Sequence, residues 1–116
     1  MKHNSRIVYI AGSITARLDT YKAVFAEAER ILEQQGLIVL NPAVLPIGLR
    51  YHESYMNICL PMLREADELV LLPGWQCSKG VRIEIEEANR LGIQITELGL
   101  RPTEEALEWS RFEQIK

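Results

Sequence analysis

The chain has 116 residues, 47% of them hydrophobic and 25% charged, the proportions of an ordinary water-soluble globular protein. One domain over 1–116 is expected, because two would each be short of core. A net charge of -3 lacks the concentrated basic face that a nucleic-acid polymer requires, although local basic side chains can hold a single phosphate. Cys59 and Cys77 are too few and too far apart for a disulfide scaffold or a zinc knuckle, and the N-terminal apolar run is too short for a signal peptide or membrane span. The expectation is a cytoplasmic protein with no membrane partner, no metal and no cofactor.

Ile7-Val8-Tyr9-Ile10-Ala11 is a β-branched, nearly all-apolar run ending at Gly12-Ser13, which reads as a buried parallel strand feeding a tight loop. Asp19-Thr20 can cap a helix with apolar positions at Ala23, Val24, Ala28, Ile31 and Leu32, ended by Gly36. Leu37-Ile38-Val39-Leu40 is the second strand, stopped by Asn41-Pro42, and residues 41–53 form the longest loop. A helix through Tyr55 and Met56 to Ala66 follows, with Pro61 marking a kink or a late start. Leu69 to Leu72 is the third strand, residues 73–80 a loop, and Val81 to Leu91 a helix ended by Gly92. Ile93 to Thr96 makes a short fourth strand, and Pro102 opens a final helix as its first residue.

Strands alternating with helices imply an α/β fold, flavodoxin- or Rossmann-like, three layers in α/β/α order with a four- to five-stranded parallel sheet. Ligands of such sheets sit outside the carboxyl ends of the strands, which here means the loops 11–18, 41–53 and 73–80.

In the first loop, Gly12, Ser13 and Ile14 follow a strand, where freed backbone amides can hold an anion. The loop is not a Walker loop and lacks the spaced glycines of a dinucleotide fingerprint, and Gly12 alone reads equally well as a turn residue. In the third loop Ser78 and Gly80 stand at the start of a helix and Glu84 lies one turn on. Glu84 shares the side of Val81 and Ala88, beside the apolar stripe, whereas Glu86 and Glu87 read as a solvated face. A first-turn acid stabilised by the helix dipole is the bland explanation of Glu84; a functional carboxylate is the sharper one.

Tyr9 is expected to be buried, with its hydroxyl in need of a partner that an active-site carboxylate would supply. Trp75 can stack on a base or cap the core beneath its loop. His3 and His52 read as inert or surface histidines and Asp67 as a turn residue.

Tyr9-Ile10-Ala11-Gly12-Ser13-Ile14, then Ala66-Asp67 before an apolar strand, then Ser78-x-Gly80-x-x-x-Glu84 together resemble the nucleoside 2-deoxyribosyltransferase-like superfamily. Leu72-Pro73-Gly74-Trp75 looks like a small, largely uncharacterised branch of it found in bacteria and phages. The resemblance spans roughly residues 6–96. It implies cleavage of an N-glycosidic bond, with Glu84 attacking the anomeric carbon and Tyr9 orienting it. Serine at position 78, where nucleoside transferases carry aspartate, implies with Ser13 a 5′-phosphorylated ligand and hydrolysis. Gly12, Ile14, Asn41, Trp75 and Gly80 complete the implied binding set. The resemblance also implies a homodimer or higher homo-oligomer, for which Trp109 and Phe112 could supply an apolar contact or else simply dock the last helix on the sheet.

Two positions depart from the pattern. Cys59 stands where the superfamily has a second catalytic aspartate, and Thr15 stands where the monophosphate hydrolases have an arginine, with Arg17 the nearest substitute. The leading expectation is an N-glycosidase acting on a (deoxy)nucleoside 5′-monophosphate. The alternatives are a non-catalytic nucleotide-binding module, motivated by Cys59, and deoxyribosyl transfer between bases.

Overall fold

The computed structural model describes residues 5–14, 20–46, 48–50, 52–102 and 107–113. Five strands form one sheet in the order β2-β1-β3-β4-β5. β1 (Ile7–Ala11) lies inside it, paired in parallel with β2 (Ile38–Leu40) on one side and β3 (Glu68–Leu71) on the other. Its residues from Val8 to Ala11 are all buried, as suits a strand covered on both faces. β4 (Gln94–Pro102) continues the parallel set against β3, and β5 (Leu107–Glu113) closes the edge antiparallel to β4.

Three helices follow the first three parallel strands. α1 (Tyr21–Gln34) buries Phe25, Ala28, Ile31 and Leu32, spaced at the helical period, and packs them with Val8, Ile10, Val70 and Leu72. α2 (His52–Arg64) and α3 (Lys79–Leu91) share a second core, in which Leu63, Val81 and Ala88 meet Tyr9, Ala11, Leu69 and Leu71. Strand residues therefore divide between the two cores by parity, as the period of two requires. Arg64 of α2 and Glu87 of α3 are joined at 2.7 Å.

Several expectations need correction. The sheet is mixed: four strands run parallel, and the fifth is antiparallel. The segment expected as a final helix is β5 over its described part, and Pro102 ends β4 instead of opening a helix. Seven register pairs with β4, from Thr96↔Glu113 to Pro102↔Leu107, outweigh the helix-forming composition of this stretch. β4 is accordingly longer than expected, and past Glu97 its pairing is with β5 alone. α2 begins at His52 and runs through Pro61, so the proline does not mark a late start; it removes one N–H from a helix that the core holds through Cys59 and Leu63. Thr20 stands at the start of α1 without a side-chain cap. His3, Thr15, Arg17 and Asp19 lie outside the described residues. Among the described residues no helix is long and apolar enough to cross a membrane.

Candidate functional site

The site grows out of β1 and α3. Tyr9 sits mid-strand, fully buried, with its side chain on the α2/α3 side of the sheet. Across from it, the second turn of α3 presents Glu84, which the spacing Val81, Glu84, Ala88 turns into the core, leaving it 6% exposed. The Tyr9 hydroxyl donates to Glu84 Oε2. Burial lifts the Glu84 carboxyl from 4.5 to about 7, and the Tyr9 hydrogen bond opposes part of that rise. Burial, followed by the nearby Glu84 charge, pushes the Tyr9 phenol well above its usual value, so it remains a donor at neutral pH.

The third member of this cluster comes from α2. Cys59 is buried in the same core cluster as Tyr9. Burial raises the thiol above its ordinary value, so at neutral pH it carries its proton. Strand, α2 and α3 thus each contribute one titratable side chain to one water-poor place.

The other expected residues are placed as follows. Ser78 is the N-cap of α3, its Oγ accepting from the Val81 amide at 3.2 Å. Gly80 lies in the first turn, where a Cβ would come to 3.4 Å from His52 Nε2 and 3.6 Å from Met56 Sδ, so the starts of α2 and α3 adjoin. His52 is exposed, as expected of it. Gly12, Ser13 and Ile14 follow β1 directly; a Cβ on Gly12 would approach Leu72 Cβ to 3.1 Å and the Phe25 ring to 3.4 Å. Close packing of backbone against core is therefore one reason for glycine there. Ser13 is buried and Ile14 packs against the α1 core.

Two of the expected binding residues make contacts of their own. Asn41 caps a short 3₁₀ turn, accepting from Ala43 N at 2.8 Å, while its amide donates to Glu29 at 3.0 Å. Trp75, in the 3₁₀ turn that left-handed Gly74 introduces, donates from Nε1 to Glu97 at 3.1 Å. Asp67 accepts from the Ile7 amide at 2.8 Å, in keeping with a structural role.

A second polar cluster was not foreseen. Glu68, 1% exposed at the start of β3, accepts from Arg6 at 2.9 Å, from Thr96 at 2.6 Å and from Arg111. Burial pushes its carboxyl up, but these three donors outweigh it and hold the group below the ordinary 4.5. Sequence carried little sign of this, since Arg111 belongs to the segment read as a helix. The two buried glutamates are thus opposites. Glu68 is neutralised from three sides, whereas Tyr9 is the side chain that donates to Glu84 among the described residues. A carboxylate left this sparsely compensated is the one that chemistry can use.

Two cavities lie elsewhere. One of about 250 Å³ adjoins the Glu68 cluster, and one of about 330 Å³ runs between α1 and Leu72, Leu98 and Trp109. Neither is lined by Tyr9 or Glu84. Among the described residues no group of three or more His, Cys, Asp and Glu could hold a metal ion.

These features define an α/β protein with a mostly parallel sheet and a buried, partly compensated carboxyl facing the inner strand β1. The chain belongs to the family described as a domain of unknown function, DUF4406, whose model matches residues 6–97. The match takes in Tyr9, Cys59, Ser78 and Glu84 and stops within β4. No curated protein matches the chain.

Proposed function

We propose that this protein is an N-glycosidase of the nucleoside 2-deoxyribosyltransferase-like kind, releasing the base from a (deoxy)nucleoside 5′-monophosphate. One observation carries the reading: Glu84, buried and lifted to about 7, is hydrogen-bonded by the equally buried Tyr9. A carboxyl in that state is ionised over a useful fraction of molecules at neutral pH, and sparse compensation keeps its oxygens nucleophilic.

In the proposed reaction a Glu84 oxygen bonds to the anomeric carbon as the carbon–nitrogen bond breaks. The base leaves with that bond's electron pair and takes up a proton. Water then attacks the anomeric carbon of the ester, Glu84 departs as a carboxylate, and the proton that water gives up balances the one the base took up, with net retention as in two-carboxyl retaining glycosidases. Tyr9 orients the nucleophile and stabilises the carboxylate that the second step returns. Ser13 and Ser78 are assigned to the 5′-phosphate, with the α3 N-terminus contributing its unpaired first-turn amides. Gly12, Ile14, Asn41, Trp75 and Gly80 complete the assigned pocket, within a flavodoxin-like α/β/α arrangement.

A homo-oligomer belongs to the same reading, and Trp109, 36% exposed on β5, is the apolar side chain assigned to its contact.

Cys59 favours a second reading. Its protonated thiol brings no charge to the cluster, so a nucleotide-binding module without turnover fits the same residues. A screen of nucleoside monophosphates for free base, run beside Glu84→Gln, separates the two. Release by the wild type that Glu84→Gln abolishes is the expected result. No release from any monophosphate, with Glu84→Ala leaving nucleotide affinity unchanged, removes the glycosidase reading. Calorimetric binding of a nucleotide without turnover establishes the module.

A further inference from the structure

We infer that Glu97 is a positioning residue, which holds the Trp75 indole as a stacking platform for the base of the ligand. The inference rests on the reading of this pocket as a nucleotide site.

Glu97 stands at the carboxyl end of the parallel strands, where ligands of such sheets sit. Ala11, Leu71 and Glu97 form one row across β1, β3 and β4, the last row in which these strands pair. Paired residues share a face, and Leu71 lies in the core with Tyr9. Glu97 is therefore on the face of the sheet that carries Tyr9 and its bond to Glu84. Its Oε1 accepts from Trp75 Nε1 at 3.1 Å.

The Trp75 backbone is fixed as well. Its amide donates to the Leu72 carbonyl at 3.2 Å, and its carbonyl accepts from the Ser78 amide at 3.1 Å. The second bond ties it directly to a residue assigned to the 5′-phosphate. A ring anchored in this way before the ligand arrives has little conformational freedom to lose on binding.

An indole has one polar atom, which only donates. Glu97 engages that atom, so what Trp75 offers a ligand is ring surface. Trp75 is half-buried: it packs against the Tyr9 core and keeps part of its surface in solvent. Ring surface suits every base, since every base has a π face, and it carries no hydrogen-bond pattern to choose among them. A tryptophan that only capped the core would have no effect specific to the base of a ligand.

Calorimetry with three probes tests this: deoxyadenosine 5′-monophosphate, thymidine 5′-monophosphate, and 2-deoxyribose 5-phosphate, which has sugar and phosphate but no base. Every protein carries Glu84→Gln, so that no probe is consumed. Against this parent, Trp75→Ala is expected to weaken both nucleotides by roughly ten- to a hundredfold, the effect of losing one base–aromatic stack. Glu97→Ala frees the indole and is expected to weaken them by roughly three- to tenfold, the cost of ordering one side chain on binding. Glu97→Gln keeps an acceptor and is expected to restore the affinity of the parent. The probe without a base is expected to bind all four proteins alike. If Glu97→Ala does not fold, Glu97→Val, suited to a strand and without an acceptor, takes its place. Nucleotide affinity unmoved by loss of the acceptor, or lost equally in Glu97→Ala and Glu97→Gln, overturns the inference. So does an equal loss for 2-deoxyribose 5-phosphate, which marks a general loosening of the site. Nucleotides that bind the parent no better than the probe without a base overturn it and leave the phosphate assignment standing. A parent that binds none of the three removes the nucleotide reading and the inference with it. Failure of the wild type to release a base removes the glycosidase reading alone.

Discussion

Glu84→Gln removes the charge from the candidate nucleophile while keeping its shape and an acceptor for Tyr9, so it isolates the free energy of holding that carboxyl in the core. The carboxyl titrates at about 7 when folded, against 4.5 as its ordinary value. At roughly 1.4 kcal/mol per pH unit, the difference amounts to about 3 kcal/mol. Its sign follows from which state holds the proton more tightly. The folded protein does, so the stability associated with Glu84 is fully present below 4.5 and is lost progressively as pH rises to about 7. Above that it is gone, and the wild type carries a constant penalty that glutamine does not. Urea unfolding of both proteins across about pH 4 to 9 measures it. The stability of Glu84→Gln relative to wild type is expected to climb by about 3 kcal/mol between those limits, with most of the climb between 4.5 and about 7. A difference that stays flat with pH would show that Glu84 ionises as an ordinary surface acid, and the case for it as a site would go with it.

Other outcomes follow from the same geometry. Tyr9→Phe deletes the hydrogen bond that opposes the rise of the Glu84 carboxyl, so the acidic limb of the pH–rate profile should move above about 7. Base release should fall by roughly ten- to a hundredfold, the effect of losing one hydrogen bond to a charged group. Glu68→Ala removes the shared acceptor of Arg6, Thr96 and Arg111, and because both arginines keep access to water it should cost about 1–3 kcal/mol in a urea melt. Because the Glu68 carboxyl is held below 4.5, its contribution has the opposite pH dependence to that of Glu84: present above 4.5, and lost as pH falls through the lower folded value. Gly12→Ala drives a methyl to 3.1 Å from Leu72 Cβ and should cost about 1–2 kcal/mol, read as a lower melting temperature.

Much of the fold could be read from the sequence because the inner strands announce themselves. Ile7–Ala11 and the run from Leu69 are uninterrupted apolar segments, and burial on both faces leaves such strands little choice of composition. The face of α3 was readable for a related reason. A helical period places Glu84 with Val81 and Ala88 whatever the rest of the chain does. β5 was hidden because its conformation is decided remotely: Leu107 to Glu113 contains good helix formers, and only the partner strand makes it extended. The Glu68 cluster was hidden along with it, since a buried acid cannot be told from an exposed one until its cations are located. Tyr9 was expected to be buried with its hydroxyl on a carboxylate, as it is, whereas Asn41 and Trp75 were expected as binding residues and instead show contacts within the fold. The bond to Glu29 depends on how α1 packs beside the end of β2, and that to Glu97 on β4 lying next to β3, neither of which local sequence encodes.

The antiparallel course of β5 also bears on how the molecule assembles itself. Glu68 meets Arg6 across 62 positions of sequence and Arg111 across 43, so its cations arrive from opposite directions along the chain. Arg6 arrives from just ahead of β1, a neighbour of β3, whereas Arg111 reaches Glu68 from β5, across the intervening β4. Contacts so far apart in sequence carry a larger loop-closure cost than helical ones. Glu68 thereby acts as a clasp between distant parts of the chain: its full set of donors exists only when the outermost strand is paired with β4.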